Sequence, residues 1–233
     1  MSSETVATGT GLELPFRWWD GLAALALFVV AGVPGLLLGS PSELTQLITA
    51  VLLAGYLFAR RRLDRQSVFG ARFEWPFVLL GAAIGLLLVF LTGLTIYAIR
   101  FTTGYDHPVY PDWVVFRSLV EVPLLAVLGS ILFAPLVEEI LFRSMLYRGL
   151  LRSMALALAA VISALAFAAA HYLEDGGVVR AAGAAVMSLA AIWLFHRSRG
   201  LWPAIALHAT FNGAVITIGY VSARIVGFGT TLS

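Results

Sequence analysis

The run Ala134-Pro135-Leu136-Val137-Glu138-Glu139-Ile140-Leu141-Phe142-Arg143 sets two adjacent carboxylates and a guanidinium in the middle of an apolar stretch. Extended to residues 123–147, that stretch is long enough to cross a bilayer as a helix. Each ionisable side chain at mid-membrane costs roughly 2.5–3.5 kcal/mol on insertion scales. Holding helices together does not require that cost. Glu138, Glu139 and Arg143 therefore read as a functional site, provided the segment lies in a membrane.

Composition supports the proviso. The chain is 60% hydrophobic and 12% charged, with a mean hydropathy of +0.92, far from a soluble domain. Seven apolar segments approach or exceed the ~20 residues of a membrane helix: 19–38, 44–59, 76–99, 123–147, 154–171, 178–195 and 201–220. Their runs are continuous and Leu/Ala-rich rather than alternating, which argues against a β-barrel. The expectation is an all-α polytopic transmembrane bundle of about seven spans. It forms a single integral membrane domain over residues 1–233, with residues 1–17 as a cytoplasmic tail. That tail lacks the basic start and cleavage pattern of a signal peptide.

Arginine placement sets the expected orientation, because the chain has no lysine. With the N-terminus inside, inner loops hold Arg60, Arg61, Arg62, Arg65, Arg72, Arg148, Arg152, Arg197 and Arg199. Outer connections hold only Arg100, Arg117 and Arg180, with Arg224 at the outer C-terminal end. This is the positive-inside pattern. It accounts for the pI near 9.2 without nucleic acid, which is discarded as a partner. The absence of cysteine removes disulfides and thiolate metal sites. Gly35-x-x-x-Gly39 and Gly81-x-x-x-Gly85 are small-residue spacings that let helix backbones approach, though glycine is also simply common in membrane helices.

Few polar groups lie within the spans. Glu139 and Arg143 are four residues apart with the acid first, the favourable order for a helical ion pair. Glu138 lies about 100° round the helix and faces something else. A carboxylate in a poorly solvated site can serve as a general base near neutrality. The expected division is Glu139 structural and Glu138 chemical. Ser163, Phe167 and His171 share one helical face, and His208 and Asn212 stand one turn apart on another span. Taken alone, His171 could simply mark the outer interface, and His208 and Asn212 could be a packing hydrogen-bond pair. His196 reads as an interfacial anchor, His107 as a solvated loop residue and Glu121 as a helix-start carboxylate. Counted from Met154 at 1.5 Å per residue, His171 stands about 25 Å along its helix, nearer the outer face than Glu138 and His208. No G-x-S-x-G elbow, H-E-x-x-H pair or phosphate-binding glycine loop is present.

At Glu138-Glu139-x-x-x-Arg143, Phe167-x-x-x-His171 and His208-x-x-x-Asn212 the chain resembles the CPBP family of intramembrane proteases. That family includes CAAX prenyl-protein endoproteases and Abi-like bacterial relatives linked to bacteriocin processing or self-immunity. The motifs occur in order, on separate spans, within an expected catalytic core of residues 120–220. Many members have glycine after the arginine, so Ser144 is a departure. The resemblance implies that Glu138 and His171 activate a water, that His208 and Asn212 form an oxyanion hole, and that Glu139, Arg143 and Phe167 position them. It implies a glutamate-activated water, with no metal and no other cofactor. The partners it implies are the lipid bilayer and a membrane-associated peptide or protein, prenylated or not. A compact chain without accessory domains suits a prokaryotic cell membrane. Two readings of other classes remain open: a zinc-dependent hydrolase with Glu138, His171 and His208 as ligands, and a non-catalytic scaffold or immunity protein.

Overall fold

A computed structural model describes residues 14–38, 42–60, 65–70, 73–104, 127–172 and 177–226. Among these residues the chain is helical throughout, apart from turns and one isolated bridge between Gly70 and Gly200. The helices are α1 Trp18–Leu38, α2 Ser42–Ala59, α3 Arg65–Phe69 and α4 Trp75–Thr103, followed by a central helix of four consecutive segments. Its segments are a π-helical turn Gly129–Phe133, α5 Ala134–Glu139, a second π-helical stretch Ile140–Tyr147, and α6 Arg148–Leu151. Then come α7 Leu156–His171, α8 Gly177–Ser198 and α9 Trp202–Val226. Each expected apolar segment coincides with one of these helices, within a few residues except at α9, which continues to Val226. The start of the fourth, at 123–126, falls outside the described residues, as do His107, Glu121, Gly39 and residues 1–13 of the tail.

By length and composition, two described helices satisfy a strict test for crossing a membrane, Trp75–Thr103 and Gly177–Ser198. Shorter apolar helices run over Trp18–Gly32, Leu47–Ala59 and Leu156–His171. The most apolar window of α4 has a mean hydropathy of 2.6, yet only 11% of it is buried. Leu79, Leu86, Leu87, Phe90, Leu94 and Phe101 all face outward. In water such a stripe would be a large aggregation-prone patch; against lipid tails it costs nothing.

The central helix is the core. From Leu141 to Leu151 every side chain is buried, including Arg143 and Arg148. Helices α1, α2, α7, α8 and α9 pack around it, while α4 packs chiefly on α9. The Gly81-x-x-x-Gly85 spacing explains that last contact. A Cβ at Gly81 would collide with the Pro203 carbonyl, and one at Gly85 would lie 2.5 Å from the Leu207 carbonyl. The two backbones approach because neither glycine has a side chain.

Arg148 corrects an expectation. It reads from sequence as an inner-loop charge, but it is 1% exposed. Its Nε donates to the Ser144 carbonyl at 2.8 Å, and its Nη2 donates to the Ser67 carbonyl and the Ser144 hydroxyl. The Ser144 hydroxyl donates to the Val68 carbonyl at 2.6 Å. Helix ends leave carbonyls without intrahelical donors. The pair Ser144–Arg148 answers those of the short α3 and fastens it to the central helix. Ser144 thus has a structural task here. Buried Asp20 accepts from Tyr56 Oη at 2.6 Å and Arg60 Nε at 3.1 Å, joining the start of α1 to the end of α2.

Candidate active site

Glu138 and Glu139 leave the central helix about 100° apart, and their partners differ accordingly. Glu139 is fully buried, with Oε2 3.0 Å from Nε of Arg143 and Oε1 3.0 Å from Nδ1 of His208. Glu138 is also buried, and its Oε2 lies 3.9 Å from Nε2 of His171 and 3.8 Å from Nε2 of His208. The three motifs therefore converge on one point. His208 stands between the two glutamates, one ring nitrogen toward each.

Hydrogen bonding fixes how each imidazole is presented. Nδ1 of His171 lies 2.9 Å from the Phe167 carbonyl, which can only accept. The proton is therefore on Nδ1, and Nε2 turns its lone pair toward Glu138. His208 is held similarly: a carboxylate acceptor at Nδ1 puts a proton there. Its Nε2 can then donate only when the ring is positively charged.

Phe167 packs beneath this arrangement. Its ring centroid is 4.3 Å from that of His171, 5.8 Å from His208 and 5.0 Å from Phe142. The Arg143 guanidinium carbon lies 4.4 Å from the same centroid. Nε, Nη1 and Nη2 of Arg143 and Oε2 of Glu139 are all buried without a hydrogen-bond partner among the described residues, so Arg143 meets Glu139 as an ion pair by proximity and Phe167 by its ring face. A desolvated cation on an aromatic face is worth about 2 kcal/mol or more.

The depth expected for His171 is not what the structure has. Its helix starts at Leu156, so His171 stands about 22 Å from that end. Glu138 stands about 20 Å from the end of the central helix at Leu151. Both helices leave the same turn, and the two residues are level. Asn212 joins the central helix by a different route: Nδ2 donates to the Ser130 carbonyl at 2.9 Å, in the first π-helical turn. His196 stays apart from the site, with Nδ1 3.5 Å from the Tyr147 hydroxyl.

An apolar cleft of about 420 Å³ lies between α2, α3 and the central helix, lined in part by Leu53, Leu57, Val68, Leu136 and Ile140. Leu136 and Ile140 project about 160° round the helix from Glu138. The cleft therefore lies on the face turned away from the glutamate–histidine cluster.

Sequence reasoning missed two features around the site. One is the π-helical geometry on both sides of the glutamates. The other is the side-chain bonds that accompany it, from Asn212 to Ser130 and from Ser163 Oγ to the Phe142 carbonyl at 3.1 Å. Pro135 was the available signal, since it removes a backbone donor inside a helix.

Residues 120–214 match the family model described as type II CAAX prenyl endopeptidase Rce1-like. The match covers less than half the chain and contains Glu138, Glu139, Arg143, Phe167, His171, His208 and Asn212. No curated protein matches the chain, and no solved structure does. The matched family is one of membrane proteases. Together with the apolar helices, it makes this chain an integral membrane protein.

Proposed function

We propose that this chain, whose residues 120–214 match that endopeptidase family, hydrolyses peptide bonds of a membrane-associated protein or peptide with a glutamate-activated water. The single observation that carries this reading is the position of Glu138 Oε2, 3.9 Å from His171 Nε2 and 3.8 Å from His208 Nε2. Those separations exceed direct hydrogen-bond reach and fall within the span of one bridging water, the arrangement this reading requires.

In the proposed sequence, Glu138 takes a proton from a water that also donates to the Nε2 lone pair of His171. The oxygen attacks the scissile carbonyl carbon, and the carbonyl π electrons move onto its oxygen. His208, charged and held by Glu139, donates from Nε2 to that oxyanion. The carboxamide of Asn212 has two N–H groups, and the one not given to Ser130 supplies a second donor. Collapse restores the carbonyl and breaks the C–N bond, while the carboxylic acid of Glu138 returns its proton to the departing amine. Loss of one such oxyanion donor typically costs about 10²–10³ in rate.

The proposed setting is a multi-pass chain of about seven spans in a prokaryotic cell membrane, which its compactness suits, with the N-terminus cytoplasmic as the arginine distribution favours. The test is hydrolysis in proteoliposomes of a quenched-fluorescent peptide ending in a farnesylated CAAX sequence, beside its unprenylated twin. Cleavage that needs Glu138 and persists in EDTA supports the reading. Cleavage lost in EDTA and restored by zinc would make His171 and His208 metal ligands instead.

A further inference from the structure

The central helix changes register on both sides of the glutamate pair, and each change is met by a side chain from a histidine-bearing helix. In the first π-helical turn the Ala134 N–H reaches back five residues to the Gly129 carbonyl. In the same register the next donor, for the Ser130 carbonyl, would be residue 135. Residue 135 is proline and has no N–H. A backbone carbonyl at membrane depth must find another donor. It has one, the amide of Asn212 at 2.9 Å, one turn beyond His208 on α9. Beyond the glutamates, the Phe142 carbonyl in the second π-helical stretch accepts from Ser163, two turns before His171 on α7.

We infer that Asn212 replaces the backbone hydrogen bond that Pro135 deletes, and that Asn212 and Ser163 are positioning residues. They tie the π-helical registers of the central helix to the two histidine helices. Irregular helical turns of this kind are rare and recur at functional sites. Here they aim Glu138 toward His171 and His208, and the bonds at Ser130 and Phe142 hold that aim from either side. This role rests on the proposed hydrolytic reading and adds to the donor role of Asn212 a second, structural N–H.

A double-mutant cycle separates the two roles of Asn212. Asn212→Ala, Pro135→Ala and the double variant are compared in proteoliposomes for kcat, KM and unfolding midpoint. Alanine at 135 restores an N–H in reach of Ser130. Asn212→Ala should lower kcat roughly 1,000-fold in the parent and by only the roughly 100-fold of a lost oxyanion donor beside Pro135→Ala, with KM little changed. An equal loss in both backgrounds would overturn the inference and leave Asn212 an oxyanion donor alone. The Ser163 pair is independent of whether Pro135→Ala folds. Ser163→Ala should lower kcat about tenfold at unchanged KM, with Ser163→Thr restoring it, because the hydroxyl is what matters. Full kcat in Ser163→Ala would overturn the positioning role. If the parent hydrolyses nothing, the unfolding midpoints still decide. Coupling between Asn212 and Pro135 would then sustain the bond's role while the protease reading fails, and additive midpoints would sink both.

Discussion

Oε1 of Glu139 lies 3.0 Å from Nδ1 of His208, so the fully buried carboxylate meets this imidazole with one oxygen and the Arg143 guanidinium, an ion pair at 3.0 Å, with the other. Adjacent acids on one helix thereby meet different partners. Glu139 faces Arg143 and His208, and Glu138 lies 3.9 Å from His171 and 3.8 Å from His208, on which its proposed role as base rests.

Removing Glu139 strands Arg143 in the core without its ion-pair partner, against the ring of Phe167. Breaking a buried pair from one side costs about 3–5 kcal/mol. Glu139→Ala should therefore lose folded yield and unfolding midpoint far more than Glu138→Ala, as read by thermal unfolding in detergent. Equal losses would contradict the division of labour.

His208→Ala should lower kcat by about 10²–10³ while KM stays nearly constant, because a donor to the oxyanion strengthens only as charge develops. The measurement is a full rate-against-substrate curve in proteoliposomes. A rise in KM at constant kcat would instead make His208 a substrate-binding group.

Phe167 is the surface that Arg143, His171 and His208 share. Phe167→Leu keeps an apolar side chain but removes the π face. The variant should lose about 2 kcal/mol of stability from the desolvated cation contact and, with the imidazoles unsupported, much of its turnover. Unchanged unfolding and unchanged rate together would show that only volume matters there.

Gly85 sets how closely α4 approaches the residue before His208. A methyl group at Gly85 would sit against the Leu207 carbonyl. Gly85→Ala should separate α4 from α9, costing about 1–3 kcal/mol as overpacking does and lowering turnover through His208. Gly93 has open space around its Cβ position. Gly93→Ala, the control, should leave both properties near parent values.

The apolar runs were legible because hydropathy needs no tertiary information. So was the Glu139–Arg143 pair, because four-residue spacing fixes neighbours on any helix. Three things were not. The second partner of Glu139 depends on where α9 docks, which spacing within one helix cannot reveal. The burial of Arg148 depends on the carbonyls at the end of α3, a helix of five residues too short to have a hydropathy signature. The shared level of Glu138 and His171 depends on where the turn between the central helix and α7 lies, and two residues of boundary displace a side chain by about 3 Å. Pro135 hinted at irregular geometry, but proline marks where a helix is disturbed without saying which side chain repairs it.

The most direct measurement compares peptide termini in membranes of cells that express the parent chain with those that express Glu138→Gln. The substitution keeps the shape of Glu138 and removes its capacity to take a proton. Termini that depend on the parent and vanish in the Glu138→Gln membranes, at equal levels of folded protein, are the expected result. Identical sets of termini from the two membranes would contradict the assignment of Glu138 as the base of an intramembrane hydrolysis.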